Sequence, residues 1–226
     1  MLDADGTLLD FGAAMTRAFE TTYREAGLSE QRPYSRALLQ SYETINDRWW
    51  KRFELRECTK PELMRGRFQD FLQENGLSGN PDCINELYFH ALGEGGDLLP
   101  GALELVRTLA RRYELYIVTN GNAPTQKSRL ERSGLLPYLR DCFVSETAGA
   151  AKPDKRYFDY ACARIPSFEP ERAVVIGDSL TSDILGAYNA GLDSIWYNPG
   201  KLENGRGVPC TYEVGSYEEL LALLDA

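Results

Sequence analysis

One histidine, His90, is the whole imidazole complement of this 226-residue chain. Ser-His-Asp triads, histidine phosphatases and His-rich dinuclear metal centres need at least one well-placed imidazole and usually more, so those classes drop out. His90 lies in Leu87-Tyr88-Phe89-His90-Ala91-Leu92, which reads as a packed helix, and a structural role is expected for it. Long apolar runs are missing as well. None approaches the roughly 20 residues that span a bilayer, and no charged and apolar leader opens the chain, so a cytoplasmic protein without a membrane partner is expected. Basic charge is scarce: 25 Lys and Arg against 34 Asp and Glu leave a formal net charge of −9, which disfavours a nucleic-acid polymer as partner. The five cysteines (Cys58, Cys83, Cys142, Cys162, Cys210) are odd in number and hold no Cys-x-x-Cys pair, and are expected to be reduced and mostly buried. There is no Gly-x-x-x-x-Gly-Lys-Ser/Thr loop, no Gly-x-Gly-x-x-Gly, and no Cys followed six residues later by Arg. Nucleotide-driven motors, dinucleotide enzymes and cysteine phosphatases are thereby excluded.

What is present suits an ordinary globular core, with 43% hydrophobic residues to bury. From about Pro100 onward, short apolar runs alternate with helical patterns. Leu115–Val118, Cys142–Val144, Ala173–Ile176 and Ser194–Tyr197 read as strands buried on both faces. Ala102/Leu105/Val106/Leu109, Phe158/Ala161/Cys162/Ile165 and Ile184/Leu185/Tyr188 are spaced as helix faces. This alternation predicts an α/β fold, a Rossmann-like parallel sheet with helices on both faces. Met1–Ala4 reads as one more strand of that sheet, yet the next strand begins only at Leu115, too far for one crossover. The intervening stretch reads as helices at 13–26, 35–53, 60–75 and 82–92, with no internal repeat. An all-helical cap domain over 12–96 is therefore expected, inserted into a catalytic core of 1–11 and 97–226, with glycine stems at Gly12 and Gly93–Gly96. Only two residues precede Asp3, barely a strand's length for a sheet centre, which is consistent with upstream residues missing from this sequence.

Ligands of an open parallel sheet collect at the carboxyl ends of its strands, and the polar motifs fall at such ends. Asp3 and Asp5 close the first strand, Thr119-Asn120-Gly121 the second, Lys152 follows the third, and Asp178 through Asp183 follow the fourth. A carboxylate can attack phosphorus in line and form an aspartyl-phosphate, the role expected of Asp3. A second carboxyl two residues on, Asp5, can protonate the leaving oxygen and later take a proton from water. Acidic groups facing a phosphate need a cation, and Mg²⁺ accepts oxygen ligands: Asp3, the Asp5 carbonyl and Asp178, with Asp183 in a supporting position behind them or acting only on the helix dipole. The phosphate oxygens need donors, expected from the Thr119 hydroxyl, the Asn120 backbone N–H and the Lys152 ammonium.

Asp3-x-Asp5-Gly-Thr7, strand-end Thr119, Lys152-Pro153 and Gly177-Asp178 with Asp183 resemble the four motifs of the haloacid dehalogenase superfamily across essentially the whole chain. The resemblance implies the α/β core, Mg²⁺ and the aspartyl-phosphate route. An aspartate at position 5 is similar to the phosphatases and mutases of that superfamily and unlike the dehalogenases, which lack this acid and base. Arg65-Gly66-Arg67-Phe68, Thr119-Asn120-Gly121, Arg129 to Gly134, Ala151-Lys152-Pro153 and Trp196-Tyr197-Asn198 resemble bacterial 5′-nucleotidases that clear noncanonical nucleoside monophosphates. The expected substrate is accordingly a small phosphorylated metabolite, a nucleoside monophosphate first, handled by a monomer or homodimer. Another ester (a sugar phosphate or phosphoglycolate), a mutase, and a phosphate-binding protein without turnover are the alternatives. In the cap, Trp49, Trp50, Phe53, Phe68 and Phe71 are expected to pack between helices, although adjacent tryptophans point about 100° apart and leave Trp49 open as a specificity residue. Arg67 is open to two readings, a solvated charge or a side chain that reaches the substrate.

Overall fold

The computed structural model describes residues 1–225. The chain divides into two compact units, Gly12–Gly95 and Met1–Phe11 with Gly96–Ala226. The first is helical: α1 (Phe11–Glu25), the short α2 (Leu28–Gln31), α3 (Arg36–Glu54), α4 (Lys60–Asn75) and α5 (Pro81–Gly93). Their ends are written locally. Thr59 and Glu62 close a reciprocal capping box on α4, Gly76 ends that helix at φ 64°, and the Asn80 side chain caps α5. The helices bury an aromatic stripe. Phe19 stacks on Tyr42 at 4.5 Å between centroids, Tyr42 on Phe68 at 5.1 Å, and Phe71 meets Phe19 edge-on at 5.1 Å.

His90 departs from expectation, because it is exposed. The buried positions of α5 are Ile84, Tyr88 and Leu92, and a residue two places from Tyr88 is turned about 200° away from that stripe.

The second unit continues with α6 (Ala102–Leu109), β1 (Tyr116–Thr119), α7 (Ala123–Ser133), β2 (Asp141–Val144), α8 (Ser145–Ala148), α9 (Lys155–Cys162), β3 (Val174–Gly177), α10 (Leu185–Ala190), β4 (Asp193–Tyr197), β5 (Tyr212–Val214) and α11 (Tyr217–Asp225). Every strand pair is parallel: β1 with β2, β3 with β4, and β4 with β5. Leu2 bridges β1 and β3, in parallel register with Ile117 on one side and Ile176 on the other. The opening segment thus lies mid-sheet as a bridge of a single residue, where a strand was expected. Strand β5 is only three residues long and carries no readable run, whereas α11, also absent from the expectations above, does carry a helical stripe, Tyr217, Leu220, Leu221 and Leu224.

Alternate strand residues feed opposite cores. Ile117 and Ile176 pack with Leu105, Leu109 and Leu220, while Tyr116, Val118 and Val175 pack with Tyr157, Phe158 and Ala187. Tyr188, expected on a buried face, is exposed. Ile184, expected on the same face, is buried, but the inward side of α10 is carried by Gly186 and Ala187, with a Cβ on Gly186 already 2.5 Å from the Phe158 ring, and Tyr188 is turned away from it. The five cysteines are free and none is fully buried, against expectation, because each lies at an element's rim or end; Cys83, for one, occupies the first turn of α5. No helix among the described residues is long and apolar enough to cross a membrane.

Candidate active site

Parallel strands end on one edge, so their carboxyl ends deliver polar residues to one place. Thr119 is the last residue of β1, Asp178 follows Gly177 at the end of β3, and Asp3 follows the Leu2 bridge with its N–H donating to the Ile176 carbonyl at 2.8 Å. Two glycines make room. Gly6 turns the chain at φ 82°, and a Cβ there would lie 2.5 Å from an Asp178 carboxylate oxygen; a Cβ on Gly177 would lie 2.3 Å from the Asp183 carboxylate. A cavity of about 610 Å³ lined by Tyr113, Phe168 and Tyr212 opens at the opposite, amino edge of the sheet, away from these carboxylates.

Carboxylate oxygens of Asp3, Asp178 and Asp183 all lie within 4.8 Å of one another. One cation stands among them. The Lys152 ammonium donates to Asp3 Oδ1 at 2.5 Å, to Asp183 Oδ1 at 2.6 Å and to the Val118 carbonyl at 2.8 Å, which uses all three of its hydrogens. Burial works against the Lys152 charge, but Asp183 and Asp3 outweigh it and hold the ammonium above its usual range. One lysine does not neutralise three carboxyls. Burial, with Asp183 adding to it, pushes Asp178 up to about 7, and burial also raises Asp3 well above the carboxylate range, with Lys152 opposing. A largely buried, all-oxygen donor set with surplus negative charge fits a hard divalent cation. Thr7 orients one wall of it: its hydroxyl donates to Asp178 Oδ1 at 3.2 Å and accepts the Asp178 N–H at 3.1 Å, while Trp196 Nε1 donates to the Asp178 carbonyl at 2.8 Å. Asp183 also accepts the Ser179 N–H at 3.2 Å.

Asp5 is placed differently from Asp3. Its side chain is partly open to solvent; Oδ2 accepts from Gln126 Nε2 at 2.8 Å, and Oδ1 pairs with the Arg129 guanidinium. Thr119 accepts from Gly121 N–H at 3.0 Å and from Gln126 Nε2 at 2.8 Å. The Asn120 side chain grips the Lys152 loop, donating to the Lys152 carbonyl at 2.9 Å and accepting the Lys152 N–H at 2.9 Å. Gln126 was not singled out from the sequence, and Arg129 only as the start of the stretch Arg129 to Gly134, not as a site residue. The available signal was polar: Gln126, Arg129 and Ser133 fall on the same helical stripe as the buried Leu130, where apolar residues would be expected.

In the helical unit, Arg67 is not solvated. It is 1% exposed, donates to Asn46 Oδ1 at 3.0 Å and Asn85 Oδ1 at 2.8 Å, and lies 4.8 Å from the Tyr88 ring centroid. Trp49 donates from Nε1 to Asp70 at 2.9 Å and packs its ring against Gly66. Both are knitted into the helix packing.

Comparison with known proteins follows the same lines. The haloacid dehalogenase-like hydrolase family matches residues 1–191. The pyrimidine 5′-nucleotidase PynA of Streptococcus pneumoniae is 39% identical over 226 residues, covering 100% of this chain and 94% of PynA. The pyrimidine 5′-nucleotidase YjjG of Escherichia coli is 33% identical over 222 residues, 98% of this chain and 95% of YjjG. Among solved structures, the HAD-hydrolase YfnB of Bacillus subtilis, crystallised with magnesium, superposes with a TM-score of 0.93 at 40% identity, covering 100% of this chain and 97% of that one.

Proposed function

The chain belongs to the haloacid dehalogenase-like hydrolases, and we propose that within this family it is a Mg²⁺-dependent phosphatase acting through Asp3 on a pyrimidine nucleoside 5′-monophosphate. The observation that carries the reading is the carboxylate trio of buried Asp3 and Asp183 and half-buried Asp178, with Lys152 the cation that pairs with Asp3 and Asp183. The nucleotide comes from the two relatives named above as pyrimidine 5′-nucleotidases. Asp3, Asp178 and the Asp5 carbonyl would hold Mg²⁺, which when bound neutralises the carboxylates and the substrate phosphate and orients the latter.

An Asp3 carboxylate oxygen bonds to phosphorus as the ester P–O bond breaks, and the departing 5′-oxygen takes a proton from Asp5. Water then bonds to phosphorus, its proton passes to Asp5, and the bond between Asp3 and phosphorus breaks to release phosphate. Lys152 holds Asp3 in place and matches the charge that develops on the transferring group, and Thr119 donates to a phosphate oxygen. The test is phosphate release from a panel of pyrimidine and purine nucleoside monophosphates and sugar phosphates, with Mg²⁺ or with EDTA, for wild type and Asp3→Asn. Release from pyrimidine nucleotides that needs both Mg²⁺ and Asp3 is expected. Equal activity in Asp3→Asn would remove the nucleophile, and failure of every nucleotide would remove the substrate class.

A further inference from the structure

We propose that Gln126 and Arg129, on the helix that follows Thr119, are positioning residues for phosphoryl transfer: together they aim the Asp5 carboxylate and set the direction of the Thr119 hydroxyl. The inference rests on the phosphatase reading above.

Both side chains are 1% exposed. Each takes one oxygen of Asp5, Gln126 at 2.8 Å on Oδ2 and Arg129 on Oδ1. A carboxylate gripped at both oxygens by two different side chains of one helix has its rotamer decided by that helix. The Gln126 amide has only one workable orientation. Its oxygen accepts from Arg129 at 3.1 Å, and its nitrogen donates to Asp5 and to Thr119 Oγ1, both at 2.8 Å; turned over, it would set an oxygen against a carboxylate and a nitrogen against a guanidinium. The consequence passes on to Thr119. A hydroxyl has two acceptor positions and one proton. Gly121 N–H and Gln126 Nε2 fill both acceptor positions, so the Thr119 proton is left to donate, as a phosphate oxygen requires.

The local sequence builds this arrangement. Gly121 has no Cβ, and one there would lie 2.6 Å from Gln126 Cγ and 2.7 Å from its Nε2, across the path by which the amide reaches Thr119. Asn122 caps α7, its side chain accepting the Thr125 N–H at 3.2 Å, and so anchors the turn that carries Gln126. Stability is a poor reason for the Arg129–Asp5 pair, since a buried guanidinium with a carboxylate commonly does no better than apolar packing of the same volume.

A leaving group that needs a proton separates positioning from packing. The 5′-oxygen of uridine 5′-monophosphate leaves as an alkoxide and needs Asp5; the aryl oxygen of 4-nitrophenyl phosphate leaves as a stable phenolate and scarcely does. The quantity read is kcat/KM, which covers the steps up to phosphorylation of Asp3 and is blind to slow hydrolysis afterwards. Arg129→Met is expected to lower kcat/KM about 10²-fold or more on the nucleotide and less than about fivefold on the aryl ester, with Arg129→Lys recovering part of the nucleotide loss. Gln126→Leu is expected to lower both, the nucleotide more, because it also frees the Thr119 hydroxyl. If Arg129→Met does not fold, judged by circular dichroism, the same ratio is read from Arg129→Lys and Gln126→Leu. Equal losses on the two esters in the folded variants would overturn the positioning role while leaving the phosphatase reading intact. No phosphate from either ester with the wild type would overturn that reading and this inference with it.

Discussion

Asp178 gives the most quantitative prediction. Its carboxyl holds a proton to about pH 7 in the metal-free fold against 3.8 as the reference value. The folded value lies above the unfolded one, so the stability this group contributes is complete below about pH 4 and is lost as pH rises through about 7. Each pH unit between the two values is worth about 1.36 kcal/mol. From about pH 5 to about pH 7 the loss is therefore at most about 3 kcal/mol, a ceiling because Asp178 is only half-buried and solvent screens part of the interaction. Asp178→Asn keeps the shape and removes the titration. In thermal melts of EDTA-treated protein, the wild type is expected to fall by up to roughly 6–12 °C relative to Asp178→Asn over that interval, at about 2–4 °C per kcal/mol for a chain of this size. The ionised carboxylate is the form that ligates, so Mg²⁺ at about a hundred times its dissociation constant should return about 2.7 kcal/mol to the wild type at about pH 8, and little to the variant. Parallel melting curves for the two proteins from about pH 5 to 8, or equal Mg²⁺ stabilisation of both, would refute the claim that surplus negative charge at Asp178 makes the site a cation site.

Three further outcomes follow from the same geometry. Lys152→Met leaves Asp3 and Asp183 buried without their cation, and should cost about 3–5 kcal/mol in metal-free urea unfolding, partly regained at lower pH as the carboxyls take up protons. Thr7→Val removes both contacts to Asp178 and should weaken Mg²⁺ binding about 10–100-fold by calorimetry, with the fold intact by circular dichroism. Gly66→Ala sets a methyl within 2.2–2.7 Å of three Trp49 ring atoms, on a ring tethered to Asp70; it should destabilise by about 1–3 kcal/mol and shift tryptophan emission, where an ordinary exposed helix position would gain from the change.

The α/β fold was legible because its signals are local. A β-strand buried on both faces reads as a continuous apolar run, as at Tyr116–Val118 and Val174–Ile176, and a helix end carries its cap beside it, as Thr59 and Asn80 do. Asp3, Asp5, Thr119, Lys152 and Asp178 could be singled out because each follows such a run, and parallel strands bring their ends to one edge. Some local readings failed for a geometric reason: His90 and Tyr188 hold plausible helical spacings, but one residue of phase, about 100°, decides which side of the helix is inside. The sequence by itself determined most of the strands and helices and the residue types presented at the strand ends, since these depend on neighbours along the chain. Only the tertiary structure decided that Gln126 and Arg129 close on Asp5 from more than 120 positions away, that Lys152 spends all three hydrogens between Asp3, Asp183 and Val118, and that Arg67 is held by two amides inside the helical unit. Those choices depend on distances between residues remote in sequence, and on which buried polar groups must satisfy one another once water is excluded.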